Sequence, residues 1–255
     1  MAERQTAYTI GESTELPSKG QIYNKPQAAI VELRSMTARD EMKRLSPSVS
    51  QFKTLADIIE GCLIEKPAIH VYDMALGDYE YLLHKLRIVT YGDEYKMGIR
   101  CPYCGEYVDT TAHLEELQLK EFDLEAFKAS RRIVLPKSGH EITLNFQTPR
   151  MLDENEAKIK EMKRKFKEAE VDFGLMVLLS SAIDTVDGLT LDPVKMETFI
   201  NKLPALDMTK ILNAIDTLNN QIGLDTAITV TCPQCGGEVA SSFRFGPEFF
   251  RPTNI

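Results

Sequence analysis

A chain of 255 residues, 43% of them apolar and 27% charged, can bury a sizeable core in one domain or two. A net charge of −8 argues against a nucleic-acid footprint unless basic side chains cluster, and no apolar run approaches the roughly 18 residues of a bilayer span. No signal-peptide pattern opens the chain, so a reducing cytoplasm is the expected setting.

Residues 1–93 form a strand-and-helix region. Leu16-Pro17-Ser18-Lys19-Gly20-Gln21-Ile22-Tyr23 reads as a turn and Ala28 to Leu33 as a strand. Thr37 is placed as an N-cap with acids at Asp40 and Glu41, a second helix covers about Ser50 to Glu60, and Cys62 reads as a core thiol. A third helix runs from about Asp78 to Val89, with Tyr79, Leu82, Leu83, Leu86 and Val89 on its apolar face, and ends at Gly92.

The first of two like motifs follows. Cys101-Pro-Tyr-Cys104-Gly105 is flanked by the strand-like runs Tyr95 to Arg100 and Glu106 to Thr110. Its counterpart, Cys232-Pro-Gln-Cys235-Gly236, lies between Ala227–Thr231 and Glu238–Phe243. Residues 94–113 and 226–246 thus read as the two halves of a zinc ribbon. Between the knuckles, 114–225 reads as an insert. A hairpin joins Arg132–Pro136 to Glu141–Phe146, and Thr148-Pro149 opens a helix of about 25 residues, roughly 37 Å long. Leu152, Ile159, Phe166 and Phe173 fall seven apart along it, beside a row of Met162, Ala169 and Met176. Such a seam fits the chain's own core or a partner helix. Gly174 to Ile183 continues as buried helix, Asp192-Pro193 starts a short one to Leu203, and Asp207 is expected to cap a last one ending at Gly223. The tail is 247–255. Phe249 and Phe250 cannot both face inward on an extended strand, so either the tail folds back on the body or one ring docks into a neighbour.

Two Cys-x-x-Cys turns supply four thiolates, a closed tetrahedral set suited to a structural Zn2+ held by Cys101, Cys104, Cys232 and Cys235. The 127 residues between Cys104 and Cys232 far exceed the 15–20 or so of a free-standing ribbon, so a folded insert must bring the knuckles together. Disulfides, a redox iron and two half-sites completed by another subunit are the competing readings. His113 is close enough in sequence to the first knuckle to be weighed as a ligand, with four cysteines already available. The expected fold class is α+β, a ribbon clamping a mostly helical body with a hairpin insert.

No phosphate-binding Gly loop, dinucleotide fingerprint, His-Glu-x-x-His or Gly-x-Ser-x-Gly occurs, and no catalytic residue is proposed. The order Glu15-Leu16-Pro17-Ser18-Lys19-Gly20, Tyr23, Met36 to Glu41, Leu86 to Gly92, the two knuckles and Phe249-Phe250-Arg251-Pro252 resembles the T4-type bacteriophage baseplate protein family of contractile tails. That resemblance implies a structural or assembly component of the baseplate hub, located in the virion, with other baseplate or hub proteins as partners. Phe166, Phe249 and Phe250 are the candidate partner contacts. The alternative function is a nucleic-acid-binding zinc ribbon. It has Lys96, Arg100 and Arg244 with Tyr103, Phe243 and Phe245 to offer, set against Glu94, Glu106, Asp109 and Glu238.

Overall fold

The computed structural model describes residues 11–48, 50–166, 172–243 and 245–250. Strands β1 (Gly11–Glu15) and β2 (Ile30–Arg34) pair antiparallel around the turn that begins at Leu16. Helix α1 (Ala38–Arg44) starts at Thr37, whose hydroxyl accepts from the Asp40 amide while Asp40 accepts from the Thr37 amide, a reciprocal capping box. Helix α2 (Gln51–Cys62) is capped by Ser50, and α3 (Leu76–Tyr91) ends at Gly92, whose φ of 85° only glycine adopts freely.

Two hairpins carry the knuckles: β3 (Glu94–Arg100) with β4 (Tyr107–His113), and, late in the chain, β8 (Ala227–Thr231) with β9 (Glu238–Ser242). Between them lie α4 (Leu124–Ser130), β5 (Arg132–Val134), β6 (Glu141–Leu144), α5 (Pro149–Lys165), α6 (Phe173–Ala182), β7 (Ile183–Val186), α7 (Pro193–Asn201) and α8 (Ala205–Asn219).

Several expectations need correction. Ahead of the hairpin, Asp123 accepts from the amides of Glu125 and Ala126 and starts α4, a helix not expected from the sequence. The apolar run to Ile183 leaves the helix at Ala182 and becomes β7, which pairs with β6 and makes the hairpin a three-stranded sheet. Asp207 does not cap its own helix, which begins at Ala205; its buried carboxylate accepts from the amides of Lys137 and Ser138 and ties down the β5–β6 turn. The helix opened by Thr148-Pro149 ends at Lys165, with Phe166 already outside helical geometry, and Asp172 caps a new helix by accepting from Gly174 and Leu175. The heptad seam is therefore split between two helices.

Apolar burial falls into two large cores and a small third one between the knuckle hairpins. The first joins β1, β2, α2, α3 and Leu114 to the chain's end through Phe243, Phe249 and Phe250. The second lies inside the insert, where β6 and β7 meet α6, α7 and α8. They adjoin at the first turn of α3: Ala75 belongs to the second core, the Leu76 amide donates to Gln147, and a Cβ on Gly77 would fall 2.3 Å from the Ile222 carbonyl. Helix α5 is fixed to the N-terminal region by Asp153, which accepts from Ser50, the Lys53 amide and the Tyr72 hydroxyl. Among the described residues no helix is long and apolar enough to cross a membrane.

Phe249 and Phe250 are both fully buried in the first core, as in the fold-back alternative, but with both rings inward, which an extended strand would not allow. The physical reason is local geometry. Residues 247–250 form a 3-10 turn, so strand alternation does not apply, and the two rings sit at 84° to each other inside the first core. The tail segment from Arg251 onward lies outside the described residues.

Candidate metal centre

Each knuckle is built alike. The Cys101 amide donates to the Glu106 carbonyl at 2.8 Å and the Cys232 amide to that of Gly237 at 2.9 Å, closing the base of each loop. Within it, the amides of Gly105 and Gly236 donate to the Cys101 and Cys232 carbonyls. Both glycines have positive φ, 78° and 71°, which explains the Gly after each second cysteine.

The hairpins bring the four sulfurs of one chain together, all within 4.8 Å of one another. Across the knuckles, Cys101 lies 3.7 Å from Cys235 and Cys104 3.7 Å from Cys232. A tetrahedron of thiolates at about 2.3 Å from zinc has an edge of about 3.8 Å, so the spacing fits a four-thiolate metal site. None of the five cysteines is in a disulfide, and no second subunit is required to assemble the set. In each pair the first cysteine is buried and the second exposed. Below the sulfurs, Val108 and Val239 are buried with Ile99 and Val230 against them, a small core shared by the two hairpins.

Backbone amides aim at the sulfurs. Those of Cys104 and Tyr103 pull the Cys101 thiol down to about 7. For Cys104 the Glu106 amide also pulls down, but desolvation and the neighbouring thiols outweigh it and push the value up to about 12. Without a cation, four crowded thiols cannot all ionise; a bound divalent cation removes that obstacle. The closed set leaves no position for substrate.

His113 is not part of the centre. It lies opposite Glu94 at the far end of the β3–β4 hairpin, with Nδ1 2.7 Å from Asp93. Phe166 is 55% exposed and its ring meets only Phe173 among the described aromatic contacts, at 6.0 Å.

Two buried polar anchors escaped the sequence reading of sites. Asp78, at the start of α3, accepts from the Ser18 amide and hydroxyl and from Tyr23, whose hydroxyl oxygen also accepts from the Ala75 amide. Burial pushes the Asp78 carboxyl up against the pull of those donors. Arg87, fully buried on α3, donates to the carbonyls of Phe249, Gly92 and Glu94, and its guanidinium lies over Tyr91 and Tyr95. It thus pins the chain's end to the base of the first knuckle hairpin. Both residues stand within the motifs Leu16 to Tyr23 and Leu86 to Gly92, or bind them, but a single sequence offers no sign that these positions are interior.

The fold and site together define a mixed α/β protein with two cores, whose distant hairpins are drawn together by a four-cysteine cluster. The chain belongs to the T4 bacteriophage base plate protein family, whose model matches residues 9–251. No curated protein and no solved structure matches it significantly.

Proposed function

We propose that the protein is a structural or assembly component of the hub of a contractile tail baseplate, acting through protein–protein contacts rather than catalysis. The family match over nearly the whole chain carries this reading. In it, Cys101, Cys104, Cys232 and Cys235 hold one structural zinc, as the sulfur spacing supports. Exposed Phe166, at the end of α5, is part of a surface for neighbouring baseplate proteins. Lys96 and Arg100 share the first knuckle hairpin with Glu94, Glu106 and Asp109, which gives no net basic face for nucleic acid.

Metal analysis of the native protein together with peptide mapping of purified tails tests this function. One zinc per chain, and the chain's peptides in tails or in a baseplate assembly intermediate, are expected. A metal-free native protein overturns the zinc, and absence from both particles overturns the baseplate role.

A further inference from the structure

A groove of about 670 Å³ runs between α5, α6 and α7. Half-buried Met162 and Met176 line it together with exposed Phe166, and Met196, buried in the second core, closes its floor. Methionine side chains are flexible and polarizable, and recur where a surface must mould itself to an apolar partner. The walls are charged with opposite sign. On the α5 side Lys165 is neutralised by Glu161 at 2.6 Å, but Lys158 has no ion pair or hydrogen bond among the described residues, although Glu154 stands one turn before it. Across the groove Asp184 faces Arg131 at 3.7 Å, while Glu197 on α7 has no partner among the described residues. An apolar trough thus runs between a lysine and a glutamate that have no partner among the described residues.

We propose that this groove takes an amphipathic helix of another baseplate protein. Its apolar stripe lies on Met162, Met176 and Phe166, its acidic flank faces Lys158, and its basic flank faces Glu197. A groove walled by helices accepts side chains spaced i, i+3, i+4 and i+7 from a partner helix. The opposed charges fix which way round that helix lies, because the reversed orientation sets like charges against each other. The inference rests on the baseplate reading for the identity of the partner.

Site-specific photocrosslinking during particle assembly tests it. Met176 is replaced by p-benzoylphenylalanine; Ser180, exposed and also lining the groove, is a second probe site should the first disturb folding. The expected product is a crosslink to a second baseplate polypeptide, mapped by mass spectrometry to a segment with apolar residues at helical spacing and acidic and basic flanks. Phe166→Asp should lower its yield at least tenfold, and Lys158→Glu at least threefold. A crosslink confined to the same chain, one to a second copy, one to a segment without that pattern, or a yield indifferent to Phe166→Asp overturns the proposal. If no crosslink forms from either site while the protein is present in purified tails, the groove assignment fails and the baseplate role stands. Absence from tails and from assembly intermediates removes both.

Discussion

His84 shows how much one side chain's surroundings decide. It is 2% exposed, stacked on Tyr81 and edge-on to Phe245; its Nε2 donates to the Leu114 carbonyl at 2.8 Å, and Nδ1 has no hydrogen-bond partner among the described residues. The ring is therefore held neutral. Burial lowers its pKa, helped by nearby Lys85 and opposed by the Leu114 carbonyl, Asp93 and Glu12. Because the folded value lies below the unfolded one of about 6.5, the unfolded chain takes up more protons on acidification. The neutral ring's contribution is complete above about 6.5 and is lost as pH falls towards the folded value. Thermal melts at pH 7.5 and 5.5 should show a fall in Tm that His84→Gln reduces. An unchanged fall in the variant assigns the acid sensitivity to other groups. The zinc-type cysteines were legible at this scale because a short motif carries their chemistry. Arg87 and Asp78 were not, since their roles come from carbonyls and hydroxyls far away in sequence.

At the scale of elements, most caps and the end of α3 at Gly92 were legible, while the Asp207 cap and the ends of α5 and α6 were misread. Thr37, Thr148 and Asp192 each open the helix expected of them as its cap, and Ser50, expected as the start of α2, is its cap. The heptad seam misled because Phe166 and Phe173 keep the period although they belong to two separate helices, and their rings still meet. The tail misled for the converse reason: strand alternation was assumed where a 3-10 turn lets neighbouring rings both point inward. These two aromatic sites should respond oppositely to substitution. Phe250→Ala, inside the first core, is expected to cost about 3–5 kcal/mol. Phe166→Asp, on the surface, should stay within about 0.5 kcal/mol of the parent. Urea denaturation checks both, and a large loss for Phe166→Asp would place that ring in the folding core instead of on a docking face.

At the scale of the whole molecule, the mixed α/β character and the union of two remote knuckles were legible, because four thiols in matched turns have one joint use. The two-core plan was not, since the seam between cores depends on contacts such as Gly77 against Ile222 that no local pattern announces. The hairpins meet through the sulfurs, through the small valine core, and through the Tyr95–Phe243 ring pair at the edge of the first core. If the four cysteines hold zinc as proposed, its chelation should loosen the structure unevenly. Hydrogen exchange is expected to rise in 94–113, 227–243 and 245–250, while the β5–β6–β7 sheet keeps its protection. Uniform loss of protection would mean that the two cores unfold as one unit.

The distance between the knuckles also sets a timetable. A ribosome adding about 5–20 residues per second takes roughly 6 to 25 s to pass from Cys104 to Cys232. Throughout that interval only two of the four sulfurs exist, and Arg87 awaits the Phe249 carbonyl, which is translated later still. The sheet and helices of the insert have all their parts before either event. Translation order therefore completes the four-cysteine cluster and the 247–250 turn after the insert, so that a chain terminated before Cys232 lacks both and is left with an open first core.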